Sequence, residues 1–197
     1  MRKSALTLGL TAALLTVTAC NGNDSATANK TGQTPAAAKA AGSKTIAAGL
    51  AQDSKFMAAA KAAGIDKTLA GPGPYTVLVP DDAAFAKLPA GTVDKPSDPD
   101  QRAKVTSILT YHILPGTVLV ADIAKTIDNA KGKAVIMTVA GQTFTAHKDG
   151  NAIVLTDSAG QSARITTGDE QYSNGVVHHI DAVLTPPGPG AKAKPTP

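Results

Sequence analysis

The chain has 197 residues and an apolar fraction of 43%, enough for one ordinary domain with extensions and a core to match. Aromatic residues are only 3% and tryptophan is absent, so Ala, Val, Leu and Ile must fill that core. The formal charge is +4, but Arg2 and Lys3 lie in a segment expected to be removed; what remains is near balance, with no Lys/Arg stripe and few rings to stack bases, which argues against a nucleic-acid partner.

Met1–Cys20 has a short basic start, an apolar run over Ala5–Leu15 and small residues up to Cys20. The run is too short to span a bilayer, so it reads as a secretory signal. Cys20 is the only cysteine, which excludes an intramolecular disulfide. Placed right after Val17-Thr18-Ala19, it resembles the lipobox cysteine of bacterial lipoproteins, which is acylated and becomes the new N-terminus. Several acyl chains on one residue anchor stably, each buried methylene adding about 0.8 kcal/mol. Asn21, where Asp is the alternative, resembles an outer-membrane sorting choice in Gram-negative cells. A protein that stays in the membrane fraction after Cys20→Ser is not anchored this way.

Residues 21–43 are rich in Asn, Thr, Ala, Gly and Lys, with no large apolar side chain; they read as a disordered tether. Thr45–Leu50 and Ser54–Ala63 read as short helices, with Ile46 and Leu50 on one face, and Phe56, Ala60 and Ala63 on another. Asp53 or Ser54 caps the second and Gly64 ends it. Ile65–Leu69 begins a further turn before Gly71-Pro72-Gly73-Pro74, a plain turn without the Lys-Ser/Thr of a phosphate loop. Tyr75–Val79 reads as a strand buried on both faces, stopped by Pro80. Asp81 or Asp82 then caps a short helix through Leu88, a commoner use of paired carboxylates than catalysis. Pro89–Asp100 reads as a polar loop, and Asp100 or Gln101 opens a helix to about Leu109.

Thr110–Gly116 reads as a strand on the alternation of Leu109, Tyr111 and Ile113 with Thr110, His112 and Leu114, ended by Pro115-Gly116. Thr117–Val120 continues extended and Ala121–Thr126 forms a short helix with Asp122 near its start. The rest is strand-rich: Ala134–Val139, Gln142–Ala146, Ala152–Asp157, Ser162–Thr167 and Val176–Leu184, with hairpin chemistry at Ala140-Gly141 and Asp149-Gly150-Asn151. On the last strand Val176, His178, Ile180, Ala182 and Leu184 share one face. Pro186–Pro197 is a Pro/Gly/Lys tail, disordered or polyproline-like.

Three stretches in order carry a resemblance: Thr76–Phe85 (TVLVPDDAAF), Thr110–Gly116 (TYHILPG) and Asn174–Leu184 (NGVVHHIDAVL). They are similar to the signatures of the fasciclin domain, an extracellular adhesion module. The resemblance implies an α+β fold: a β-sandwich-like wedge with several short helices packed at one edge. It covers roughly Thr45–Pro186, which divides the chain into a signal with lipobox (1–20), a tether (21–43), a fasciclin domain (44–186) and a Pro-rich tail (187–197). In animal matrix members the Tyr-His region with flanking Leu/Ile contributes to receptor contact. Tyr111 and His112, with Leu109, Ile113 and Leu114, match that pattern and are the candidate interaction residues.

The chemistry-bearing residues point to no reaction. His178 and His179 are adjacent on a strand, so their side chains diverge, and no Cys or carboxylate stands at ligand spacing: no metal and no cofactor are expected. His112 and His178 read as core histidines with satisfied nitrogens. No Gly-x-Ser-x-Gly elbow is present and no catalytic residue is assigned. His179 replaces a more usual apolar residue of the family and, if exposed, makes a site sensitive to mildly acid pH. The expected function is a non-catalytic, lipid-anchored module of the cell envelope. Its partner would be a protein, a matrix polysaccharide or another copy of itself. The alternative is a small-ligand-binding lipoprotein, which requires a concave apolar pocket.

Overall fold

The computed structural model describes residues 42–88 and 98–187. The signal, Cys20, nearly all of the tether, the loop from Pro89 and the tail after Pro187 lie outside the described residues. Three short helices lead in: α1 (Ile46–Gly49), α2 (Lys55–Ala63) and α3 (Asp66–Ala70). Ser54 caps α2 by accepting from Met57 N at 3.3 Å, and Gly64 ends it in the left-handed region at φ 74°. Next come β1 (Tyr75–Pro80), α4 (Asp82–Ala86), α5 (Pro99–Tyr111), β2 (Ile113–Pro115) and α6 (Val120–Asn129). The remainder is all strand: β3 (Lys133–Met137), β4 (Thr143–Asp149), β5 (Ala152–Thr156), β6 (Ser162–Tyr172) and β7 (Gly175–Ile180).

The seven strands form one mixed sheet in the order β2-β1-β7-β6-β5-β4-β3, with β1 and β7 parallel and every other pair antiparallel. Register breaks in β6 between Ile165 and Glu170 bend the sheet. At Gly168 the backbone passes so close to α6 that an added Cβ would stand 2.4 Å from Val120 Cγ2. The bend brings the two ends together, and Val139 N, just past β3, donates to Ile113 O on β2 at 2.9 Å. The result is a wedge that nearly closes into a barrel.

Strand periodicity then sorts the core into two compartments. Val77 and Val79 of β1 point outward to α1–α5, where Ile46, Phe56, Met57, Leu69, Phe85 and Leu109 pack. Leu78 points into the wedge, with Leu114, Ile123, Phe144, Leu155 and Ile180. Burying each such side chain contributes about 1.5–3 kcal/mol. Because β1 lies between the two compartments, it is apolar almost throughout.

Four local expectations are corrected. Helix α5 starts earlier, on Pro99, because Asp98 accepts from Asp100 N and Gln101 N. It also runs on through Tyr111, so Tyr111 and His112 are not on a strand. The reason lies in the spacing: Val105, Ile108, Leu109 and His112 form one helical stripe, whose end imitates the alternation of a strand. Asp81 precedes α4 without a side-chain cap, while Asp82 accepts instead from Lys55 N at 2.9 Å, the first residue of α2. Finally, β7 stops at Ile180 rather than Leu184, although Ala182 and Leu184 still pack into the wedge with Ile180 and Leu78, on the side His178 faces.

Candidate functional site

The candidate residues sit where α5 ends and β2 begins. All five are inside the molecule: Tyr111 is 0% exposed, and His112, Leu109, Ile113 and Leu114 are 1% exposed. Their side chains therefore reach a partner only through what they hold in place, which corrects the expectation of direct contact. The Tyr111 hydroxyl donates to Thr143 O at 2.9 Å, and its ring meets Phe144 edge-on at 6.0 Å. Helix α5 is thereby fastened to β4 across the wedge.

His112 caps the helix. Its Nδ1 lies 2.7 Å from Ile108 O and its Nε2 accepts from Leu184 N at 3.1 Å. A carbonyl can only accept, so Nδ1 carries the proton and the ring is neutral. Complete burial pushes its pKa down to about 4, against a smaller upward pull from the Ile108 carbonyl. His178 mirrors it: Nε2 donates to Val118 O at 2.8 Å and Nδ1 accepts from Asp169 N at 3.0 Å. Burial lowers this pKa too. Asp169 in turn accepts from Val120 N at 2.8 Å and so caps α6. Each histidine thus ties two distant segments together, as core histidines with both nitrogens used.

Three more fastenings were not legible as such in the sequence. Asn174 accepts from Ile46 N and donates to Leu69 O and Gly71 O, all at 2.8 Å, joining the start of α1 to the end of α3. Buried Asp157 accepts from Ala159 N, Gln161 N, Thr185 N and the Thr185 hydroxyl. Thr76 donates to Gly116 O and accepts from Val118 N. A polar residue inside an apolar run is the one signal that marks Thr76; Asn174 looks like an ordinary turn residue.

The outward side of β3–β5 differs in kind. By register Lys133, Val135 and Met137 share this face with His147, Thr145, Thr143 and Thr156. Val135 is 66% exposed and Met137 62%. Lys133 is exposed on the same face, and two exposed ion pairs, Lys148–Asp128 and Arg164–Asp149, each 2.6 Å apart, flank the sheet. His179, the unusual residue of the last strand, is part-exposed, with Nε2 3.2 Å from Glu170 and Nδ1 3.9 Å from Asp81. Among the described residues no group of three His, Cys, Asp or Glu side chains could hold a metal ion.

A bent sheet with helices packed on one half, closed by internal polar joints, matches a known arrangement. The fasciclin-domain family model matches residues 51–186. This chain belongs to the fasciclin-domain family. Protein sll1483 of Synechocystis is 37% identical over 143 residues, covering 72% of each chain. The immunogenic protein MPB70 of Mycobacterium bovis is 36% identical over 58% of this chain and 51% of its own. The cell surface glycolipoprotein MPB83 of Mycobacterium bovis is 35% identical, with 45% of its length covered. This chain therefore spans about half of those two mycobacterial relatives. Among solved structures, a FAS1 domain pair from the insect cell adhesion molecule fasciclin I aligns with a TM-score of 0.50 at 25% identity. The match covers 68% of this chain and 45% of that one. The fasciclin domain here is thus an α+β wedge, as its three signatures imply.

Proposed function

We propose that this protein is a non-catalytic interaction module of the cell envelope, held by a lipid on Cys20 and presenting its fasciclin domain to a protein, a matrix polysaccharide or another copy. One observation carries this reading. Buried His112, His178, Asp157 and Asn174 are all occupied in joining segments of the fold, whereas a face of Val135, Met137, Lys133 and threonines is left outward. The cell-surface and cell-adhesion names of relatives support placement outside the cell. Lipidation and the outer membrane rest on the sequence around Cys20 alone.

The test uses the labelled full chain carrying Cys20→Ser, added to cells of the organism that makes it and to cells deleted for it. Saturable binding to both indicates a partner in the envelope or matrix, and binding to the wild type alone indicates homotypic adhesion. Absence of binding to either overturns the proposal.

A second reading has its own support. A groove of about 460 Å³ lies between α5 and residues 185–187, lined by Ala103, Ser107, Ile108, Gln142 and Pro186 among others. Its size falls in the small-ligand range. Gln142 Oε1 is buried beside it without a hydrogen-bond donor among the described residues. A small, largely apolar ligand lying against Ala103, Ile108, Pro186 and Gln142 would fit. Gln142→Leu separates the readings, since it abolishes a small-ligand complex and leaves cell binding intact.

A further inference from the structure

We infer that the free edge of β3 pairs antiparallel with the same edge of a second copy, two-fold related at Val135. The inference deepens the interaction reading above by naming one surface and one partner.

The backbone directions fix which groups are free. Thr138 N donates to Gln142 O, so its amide points toward β4. Val139 N donates to Ile113 O, away from β4. Strand alternation carries that pattern back along β3: Ala134 and Ile136 face β4, while Lys133, Val135 and Met137 turn their N–H and C=O to the open side. Among the described residues no hydrogen bond reaches those groups from that side. A row of unpaired donors and acceptors is a template for another strand.

The second copy is favoured by register and charge. The corner bond at Val139 limits pairing at one end, and the turn at Lys131 and Gly132, both with positive φ, limits it at the other. Within Lys133–Met137 a two-fold at Val135 sets Val135 against Val135, and Lys133 against Met137. Every open amide then meets an open amide of the partner. The lysine stem covers a thioether, and the two Lys133 ammonium groups stay apart; a parallel pairing would stack them. Native edges are commonly guarded by a central charge or proline, yet the centre here is Val135, 66% exposed, beside Met137. So short an edge buries less than the ~1,200 Å² of a stable interface. The pair is therefore weak in solution and effective between many copies anchored at a surface.

The test uses the full chain with Cys20→Ser, so that only an introduced thiol can bridge. Val135→Cys should form a disulfide dimer under mild oxidation, because hydrogen-bonded antiparallel partners stand about 5.5 Å apart at Cα. A mixture of Lys133→Cys and Met137→Cys should form the heterodimer. Lys133→Cys alone should not, since its two copies lie roughly 13 Å apart along the strands. In sedimentation equilibrium Val135→Lys should weaken self-association at least about tenfold by setting like charges opposite each other. A Val135→Cys chain that stays monomeric, Lys133→Cys that bridges to itself as readily as to Met137→Cys, or Val135→Lys that associates like the parent each overturns the inference. Cell binding is read separately: binding retained by Val135→Lys on cells deleted for the protein leaves the interaction reading standing while this edge fails.

Discussion

The two halves of the sheet use the same chain chemistry in opposite ways. In β1 and β7 nearly every residue is buried, because helices cover one face and the wedge fills the other. In β3 and β4 burial alternates, with Ala134, Phe144 and Ala146 inward, and Val135 and Met137 outward. Buried polar side chains occur at the margins of both halves: His178 on β7, His112 at the end of α5 and Thr76 on β1 in the covered half, Thr138 after β3 and Asp157 after β5 in the other. The open half has a mixed outward surface, where exposed Lys133 stands beside Val135, Met137 and a row of threonines. A polar residue in a signature motif can thus be part of the scaffold, while the outward face of β3 and β4 is built from residues no motif marks.

The sharpest way to break that contrast is to truncate both halves alike. Leu78→Ala in the covered half should cost about 2–5 kcal/mol in urea unfolding, against less than about 0.5 kcal/mol for Val135→Ala in the open half. Next, His112→Ala should cost about 2–4 kcal/mol, because Ile108 O and Leu184 N are both left buried without a partner. Acid probes the same joints without mutation. The folded state holds His112 neutral down to about pH 4, whereas the unfolded chain takes up a proton below pH 6.5. Stability is therefore full above pH 6.5, falls as the pH drops toward 4 by up to about 1.4 kcal/mol per pH unit for each such histidine, and His178 adds in the same direction. His112→Gln should flatten that fall. Asp157→Asn should cost about 1–3 kcal/mol, since an NH₂ would then face the donors of Thr185 or of the 159–161 turn. The smallest effect belongs to the open half: Asp128→Asn removes the exposed ion pair with Lys148 and should change stability by less than about 0.5 kcal/mol.

Much of the covered half was legible because its signals are local. Ser54 and Gly64 announce the ends of α2, and the unbroken apolar run of Tyr75–Val79 announces a doubly buried strand. The neutral, satisfied state of His112 and His178 was readable from their apolar surroundings. The helix-to-strand change at Tyr111-His112 was not, because the 3.6-residue stripe ending at His112 overlaps a two-residue alternation over the same positions. The long-range joints were hidden for a different reason. Asn174 reaches back to Ile46 and Leu69, and Asp157 forward to Thr185, so their roles exist only once the sheet has brought these segments together. The open edge of β3 depends likewise on which strand ends last in the sheet, a property of topology that no short window contains.

The most direct test compares saturable cell binding of the Cys20→Ser chain with that of the same chain carrying Val135→Lys and Met137→Lys, both checked by urea unfolding. If this face makes the contact, the parent binds saturably and the charged-face variant loses binding with an unchanged unfolding midpoint. Equal binding by the two would contradict it, placing the contact elsewhere on the domain.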